Sequence, residues 1–174
     1  MTTGPITIVE YEPAHQHYFE QLYRGWFTKH FGLAPEAVDE FVLTQPEAAV
    51  LGKGGAILMI LYKDELAGTV ALKKEDGREG DDPGSDGQTY EFTKMAIGEE
   101  YRGKGLGEAL SKAAIGKARS LGARRIVLYT HNSLKAAISL YRKLGFAETP
   151  LEPGHYSSFR CDIKMELWLD QVHS

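Results

Sequence analysis

The sequence predicts one α/β (α+β) domain built on a mixed sheet. Three observations carry that expectation. Strand-like and helix-like segments alternate along residues 1–174, with no internal repeat and no long linker. The longest apolar run, residues 56–62, is the length of a strand and far short of the ~18 residues of a membrane span. The composition, 43% apolar and 25% charged, is that of a chain able to bury its own core.

Residues 6–11 alternate apolar and polar side chains, as a half-buried strand does. From 14 to 29 the residues Tyr18, Phe19, Leu22, Tyr23, Trp26 and Phe27 fall at helical spacing, and Gly32 stops that helix. Residues 34–43 read as a second helix and 46–50 as a further helical turn. Strands at 56–62 and 66–73 flank the tight turn Lys63-Asp64-Glu65 and form a hairpin. A strand at 90–97 leads through a turn, residues 98–107, into a helix running to about 121. Its apolar stripe contains Leu106, Leu110, Ala114 and Ala118. A buried strand at 125–130, a helix at 134–144 and closing strands at 146–149 and 159–169 complete the order.

The net charge of −4 is concentrated in one place. Residues 76–89 carry Asp76, Glu79, Asp81, Asp82 and Asp86 against Arg78, a balance of −4 that leaves the remainder neutral. This acidic stretch, rich in Gly, Ser and Pro, offers no core residue and is expected to be a mobile loop within the domain. A neutral remainder gives no expectation of a nucleic-acid or membrane partner. The lone Cys161 excludes an internal disulfide framework and a cysteine-rich zinc site. With neither a basic start nor an apolar run at the N-terminus, the expected location is cytoplasmic. The histidines show no metal-ligand spacing. His15 and His17, two apart, face away from each other on a helix, so no metal is expected.

The most informative segment is Glu100-Tyr101-Arg102-Gly103-Lys104-Gly105-Leu106-Gly107-Glu108. It lies between a strand and an amphipathic helix. Glycines free the backbone for positive φ, and successive N–H groups at a helix N-terminus make a concave anion site. Arg102 and Lys104 add positive charge at its rim. Phosphate is the natural ligand. The nucleotide P-loop pattern is absent, and the dinucleotide fingerprint fails in both registers, ending on Glu108 or Leu110. That argues against a nicotinamide-dependent oxidoreductase. What fits is R-x-x-G-x-G, as Arg102, Gly105 and Gly107.

That arrangement resembles the acetyl-CoA motif of the GNAT superfamily of N-acetyltransferases. Three more segments are similar to the family in order: the strand YEFTKMAI before the turn, Ile126-Val127-Leu128-Tyr129-Thr130-His131-Asn132, and AAISLYRKLGF with its Tyr-x-x-x-Gly-Phe ending. The resemblance is specific over 90–146 and looser towards the ends. It implies a mixed, mostly antiparallel central sheet with a splayed strand pair, flanked by helices. Acetyl-CoA would be the cosubstrate, the reaction direct attack of a primary amine of a small molecule or peptide, and a homodimer is common in the family.

The resemblance also implies residue roles. The amides of Arg102, Gly103, Lys104, Gly105, Leu106 and Gly107 would hold the pyrophosphate. Backbone groups of Met95, Ala96 and Ile97 would hold pantetheine as an added strand, and one of those amides would meet the developing oxyanion. Asn132 would bond the pantetheine arm, although its position also suits a helix N-cap, as does that of Ser133. Tyr141 would protonate the departing thiolate; by pattern alone it is a core aromatic. An ammonium needs a base before it can attack, and Glu91 is the leading candidate. On simple alternation Glu91 shares a face with Thr93, Met95 and Ile97. Tyr129 and His131 are placed to assist. Cys161 reads as a small packing residue. The acceptor pocket is expected against Tyr18, Tyr23, Trp26, Phe27, His30 and Phe31, with residues 153–158 as a second wall. The alternative is a CoA-binding sensor or interaction module that has lost catalysis.

Overall fold

Alternation along the strands sorts the apolar side chains into two faces, each covered by helices. The computed structural model describes residues 5–75, 88–151 and 161–169. Seven strands form one sheet in the order β1-β2-β3-β4-β5-β7-β6. They are β1 (Ile6–Glu10), β2 (Ala56–Tyr62), β3 (Glu65–Lys74), β4 (Thr89–Ile97), β5 (Arg125–Thr130), β6 (Ala147–Thr149) and β7 (Ile163–Trp168). All neighbours run antiparallel except β4 and β5. In β2, Ile57 and Met59 point to one face and Leu58 and Ile60 to the other, and all four are buried.

On the first face lie α1 (Gln16–Phe31), α2 (Ala37–Thr44) and the short α3 (Pro46–Ala49). Phe19, Tyr23 and Phe27, one helical turn apart, bury against Val42, Leu43, Met59 and Ala71. The second face is covered by α4 (Leu106–Ser120) and α5 (Lys135–Lys143). Here Leu106, Leu110, Ala114 and Tyr141 pack on Leu72, Phe92, Leu128 and Met165. Burying a side chain of this size is worth ~1.5–3 kcal/mol, so the two stripes hold the layers together.

The expected elements are present with ends shifted by a few residues. The helix expected to start at 14 begins as a 3-10 turn, Pro13–His15, and becomes α-helical at Gln16. The second helix begins at Ala37 rather than 34. The acidic stretch at 76–87, the expected second acceptor wall at 153–158 and the first residues of the closing strand lie outside the described residues. None of the described helices is long and apolar enough to cross a membrane.

Two departures from regular pairing shape the site. β4 and β5 pair only at Thr89↔Arg125, Tyr90↔Ile126 and Glu91↔Val127, and then diverge. β4 also carries a bulge. Thr93 opposes Ala71 and Ala96 opposes Thr69, so Lys94 and Met95 together face the single residue Val70. Lys94 adopts the left-handed conformation, with φ of 56°.

Candidate active site

Where β4 and β5 part, they open a cavity of about 570 Å³. Phe92, Leu128 and Tyr141 line it from the α4/α5 side. Met95, Ala96 and Ile97 line one flank, and the turn residues Arg102, Gly103, Gly105, Leu106 and Gly107 close that end. At the other end stand Tyr23, Trp26, Phe27, His30 and Phe31 of α1.

The turn owes its shape to two glycines. Gly103 and Gly105 have φ of 79° and 76°, and Gly105 is the residue from which α4 starts. The first helical bond runs from the Ala109 N–H to the Gly105 carbonyl, 3.1 Å. The amides of Leu106, Gly107 and Glu108 precede that ladder and are the helix's free donors at its positive end. Gly107 differs from them. A Cβ there would meet Met95 at 3.7 Å and Leu140 at 3.8 Å, ordinary contact distances, so the position sits where α4 approaches β4 and α5 but has room for a methyl group. Glu108 leans away onto Lys143 and Lys112. Its hydrogen bond to Lys143, with the attraction of that ammonium, holds its carboxyl below the usual range.

Tyr141 sits on α5 with its ring edge-on to Phe92 and Phe146, at 5.6 and 5.9 Å. Its phenol borders the cavity and has no hydrogen-bond partner among the described residues. Burial, reinforced by the Tyr23 phenol, pushes it well above the ordinary tyrosine range. At neutral pH it therefore carries its proton and is a donor facing the cavity. Tyr129 lines the opposite flank and is likewise raised, by burial first and then by the fields of Glu75, Glu91 and Glu166.

Nine of the twelve site residues expected from sequence come together on this wall: Met95, Ala96, Ile97, Arg102, Gly103, Gly105, Leu106, Gly107 and Tyr141. Three do not. Lys104 turns outward, its ammonium 5.0 Å from the Tyr62 ring. Asn132 is exposed and bound to Asp162 through both its backbone amide and its carboxamide. Nor does Asn132 cap a helix, because α5 begins after Leu134 without a side-chain cap. Glu91 is buried but off the cavity wall. The bulge at Lys94 explains this. It resets the alternation, so Glu91 and Thr93 share the α1 face while Met95 and Ile97 join Tyr90 and Phe92 on the other. The expected common face of Glu91, Met95 and Ile97 is therefore corrected.

His131 is off the wall as well: its Nδ1 accepts from the Ser133 amide at 3.1 Å, and its Nε2 faces Asp162 at 3.7 Å. Of the six α1 residues expected at the acceptor end, only Tyr18 points elsewhere. Cys161, expected in packing, borders the cavity.

The sequence reading missed a buried ion pair in the cavity wall. Lys94 Nζ donates to Asp39 Oδ1 at 2.7 Å and lies 4.9 Å from the Tyr23 ring centre. Both side chains are almost fully buried. Burial alone would push the Lys94 ammonium down. The fields of Tyr23, Asp39 and Glu91 and the Asp39 hydrogen bond outweigh it and leave the pKa raised. The signal was present: Thr93-Lys94 puts two polar residues in succession where a regular strand alternates.

A profile of the acetyltransferase (GNAT) family matches residues 10–146. The chain belongs to the GNAT acetyltransferase family. A relative in Escherichia coli (strain K12), named uncharacterized N-acetyltransferase YjgM, is 31% identical over 139 residues, 79% of this chain and 75% of that one. YvbK of Bacillus subtilis (strain 168), of the same description, is 40% identical over 117 residues, covering 62% and 69%. A mycothiol acetyltransferase of Corynebacterium efficiens is 33% identical over 104 residues, 60% of this chain but 32% of that longer protein. Among solved structures, an acetyltransferase from Streptococcus agalactiae superposes with a TM-score of 0.77 at 22% identity, covering 96% of this chain and 100% of that one. The yncA protein of Salmonella typhimurium, solved with its cofactor acetyl-CoA, gives 0.72 at 20% identity, covering 98% of each. At these identities the solved structures establish the GNAT fold: a mixed, mostly antiparallel seven-stranded sheet, splayed at its one parallel pair.

Proposed function

We propose that this GNAT acetyltransferase moves an acetyl group from acetyl-CoA to a primary amine by direct attack, with no covalent enzyme intermediate. The observation that carries the reading is the single cavity wall joining a glycine turn at a helix N-terminus, a stretch of β4 that β5 no longer pairs and the protonated phenol of Tyr141. The amides of residues 102–107 suit a pyrophosphate, because several N–H donors and the helix dipole offset its charge together. Met95, Ala96 and Ile97 offer main chain that β5 has left, which suits an extended arm bonded like an added strand. The bulge takes the peptide groups of Lys94 and Met95 out of the regular β3 ladder, where an amide can meet a developing oxyanion.

Tyr141 is the proposed acid, giving its proton to the departing thiolate. Glu91 is the proposed base, acting through water because its carboxylate is off the wall. Its field reaches both Lys94 and Tyr129, which are on the wall. Asn132 is proposed for the pantetheine arm on the strength of its place at the end of β5. The test is calorimetric titration with acetyl-CoA, followed by thiol release on adding a panel of primary amines. Saturable binding and amine-dependent release are expected. Binding without release for any amine would instead identify a CoA-binding module.

A further inference from the structure

We propose that the acceptor is a small primary amine carried on a flat apolar body, an aryl-alkylamine, and that Trp26 and Phe31 grip that body. The inference rests on the acetyl-transfer reading and names the substrate class for the same site. Residues 23, 26, 27, 30 and 31 follow the i, i+3, i+4, i+7, i+8 stripe of one helix face, and all five line the cavity. They divide into two groups. Tyr23 and Phe27 are buried and belong to the core under α1. Trp26 and Phe31 are only half-buried and His30 is exposed, so their remaining ring surface faces the opening.

The three rings are held in place. Trp26 and Phe31 meet edge to face, 6.0 Å apart at 79°. Trp26 stacks on His30 at 4.8 Å, and the His30 Nδ1–H donates to the Trp26 carbonyl at 2.9 Å. Phe31 in turn stands edge-on to His131 at 6.1 Å. A second aromatic ring, offered to such a wall, gains stacking and edge contacts beyond the area it buries.

Charge on the same wall selects against other amines. Arg102 and Lys135 line the cavity as cations beside Lys94, whose charge Asp39 balances, and none of the described lining residues is a carboxylate. A polyamine with further ammonium groups therefore meets like charge, and an amino sugar such as glucosamine, with one ammonium on a hydroxylated body, makes little apolar contact with the rings. Size selects as well. About 570 Å³ is the volume of a small-molecule site, and the cosubstrate's arm needs part of it.

The experiment compares kcat/KM for 2-phenylethylamine, tryptamine, n-butylamine, spermidine and glucosamine, read as thiol release from acetyl-CoA, with acetyl-CoA binding measured on the same samples. The two aryl amines should exceed butylamine about tenfold, the value of one well-made ring contact, and exceed the other two by more. Trp26→Ala should bring phenylethylamine down to the butylamine level, and Trp26→Phe should restore most of the difference. Equal rates for butylamine and the aryl amines, preference for spermidine or glucosamine, or a Trp26→Ala loss shared equally by every amine would each overturn the substrate class while leaving acetyl transfer intact. Absence of acetyl-CoA binding would overturn both readings.

Discussion

Asp39→Asn is the most informative single change in the wall, because it removes a charge without removing volume. In the native protein Lys94 and Asp39 retain only 6% and 7% side-chain exposure and meet at 2.7 Å. After the change the ammonium keeps Thr93 Oγ1 at 3.4 Å, the Tyr23 ring at 4.9 Å and the more distant field of Glu91, but loses the one carboxylate it bonds directly. Breaking a buried pair by deleting one partner costs about 3–5 kcal/mol. The pH dependence supplies a second reading. With its pKa raised in the fold, Lys94 contributes stability that is fully present below the unfolded lysine value, about 10.4, and is lost as pH rises through the folded value. In Asp39→Asn burial opposes only the fields of Tyr23 and Glu91, so the folded Lys94 value should fall from the parent's. The variant should then lose less stability than the parent as pH rises past about 10. Urea denaturation at several pH values measures both effects. The double variant Lys94→Met with Asp39→Leu should recover most of the loss, since apolar replacements leave no stranded charge. A cost below about 1 kcal/mol with an unchanged pH trend would refute the argument, as would a double variant as unstable as the sum of its singles.

Tyr141→Phe keeps the ring contacts with Phe92 and Phe146 and deletes a hydroxyl that bonds nothing among the described residues. Melting temperature and acetyl-CoA affinity should hold while turnover falls about a hundredfold, and unchanged turnover would remove the acid role. Gly105→Ala forces a side chain to φ of 76°, a strain of about 1 kcal/mol, and should weaken acetyl-CoA binding measured by calorimetry. Gly107→Ala has only contacts at 3.7 Å or beyond and should be milder in both stability and affinity, so the reverse order would contradict the assigned turn geometry. Glu91→Gln should flatten the alkaline-rising limb of the rate profile; a variant whose profile matches the parent's would exclude Glu91 as the base.

The parts of this site that were legible in the sequence are those written locally. Glycines at 103 and 105 announce positive φ, the stripe from Leu106 to Ala118 announces α4, and the aromatic spacing in α1 announces a face. Apolar runs and alternation likewise located the strands, and alternation failed at one residue. A strand read with period two carries its phase forward, so one extra residue at Lys94 moved Met95 and Ile97 to the other face and left Glu91 behind. The cue, two polar residues in succession, was visible, but its consequence was not local. A lysine with φ of 56° inside a sheet is strained and desolvated, and it persists because Asp39, 55 residues earlier, meets it from another layer. Nothing near Asp39 marks it as that partner; on its own helix it reads as an ordinary first-turn acid. The same pair joins α2 to the bulge, and Arg24 joins α1 to α2 through both oxygens of Glu40, at 2.7 and 2.6 Å. The aromatic wall and the peptide groups beside the cavity are therefore held by one chain of ion pairs. A change that loosens Asp39 should disturb acceptor selection as well as stability.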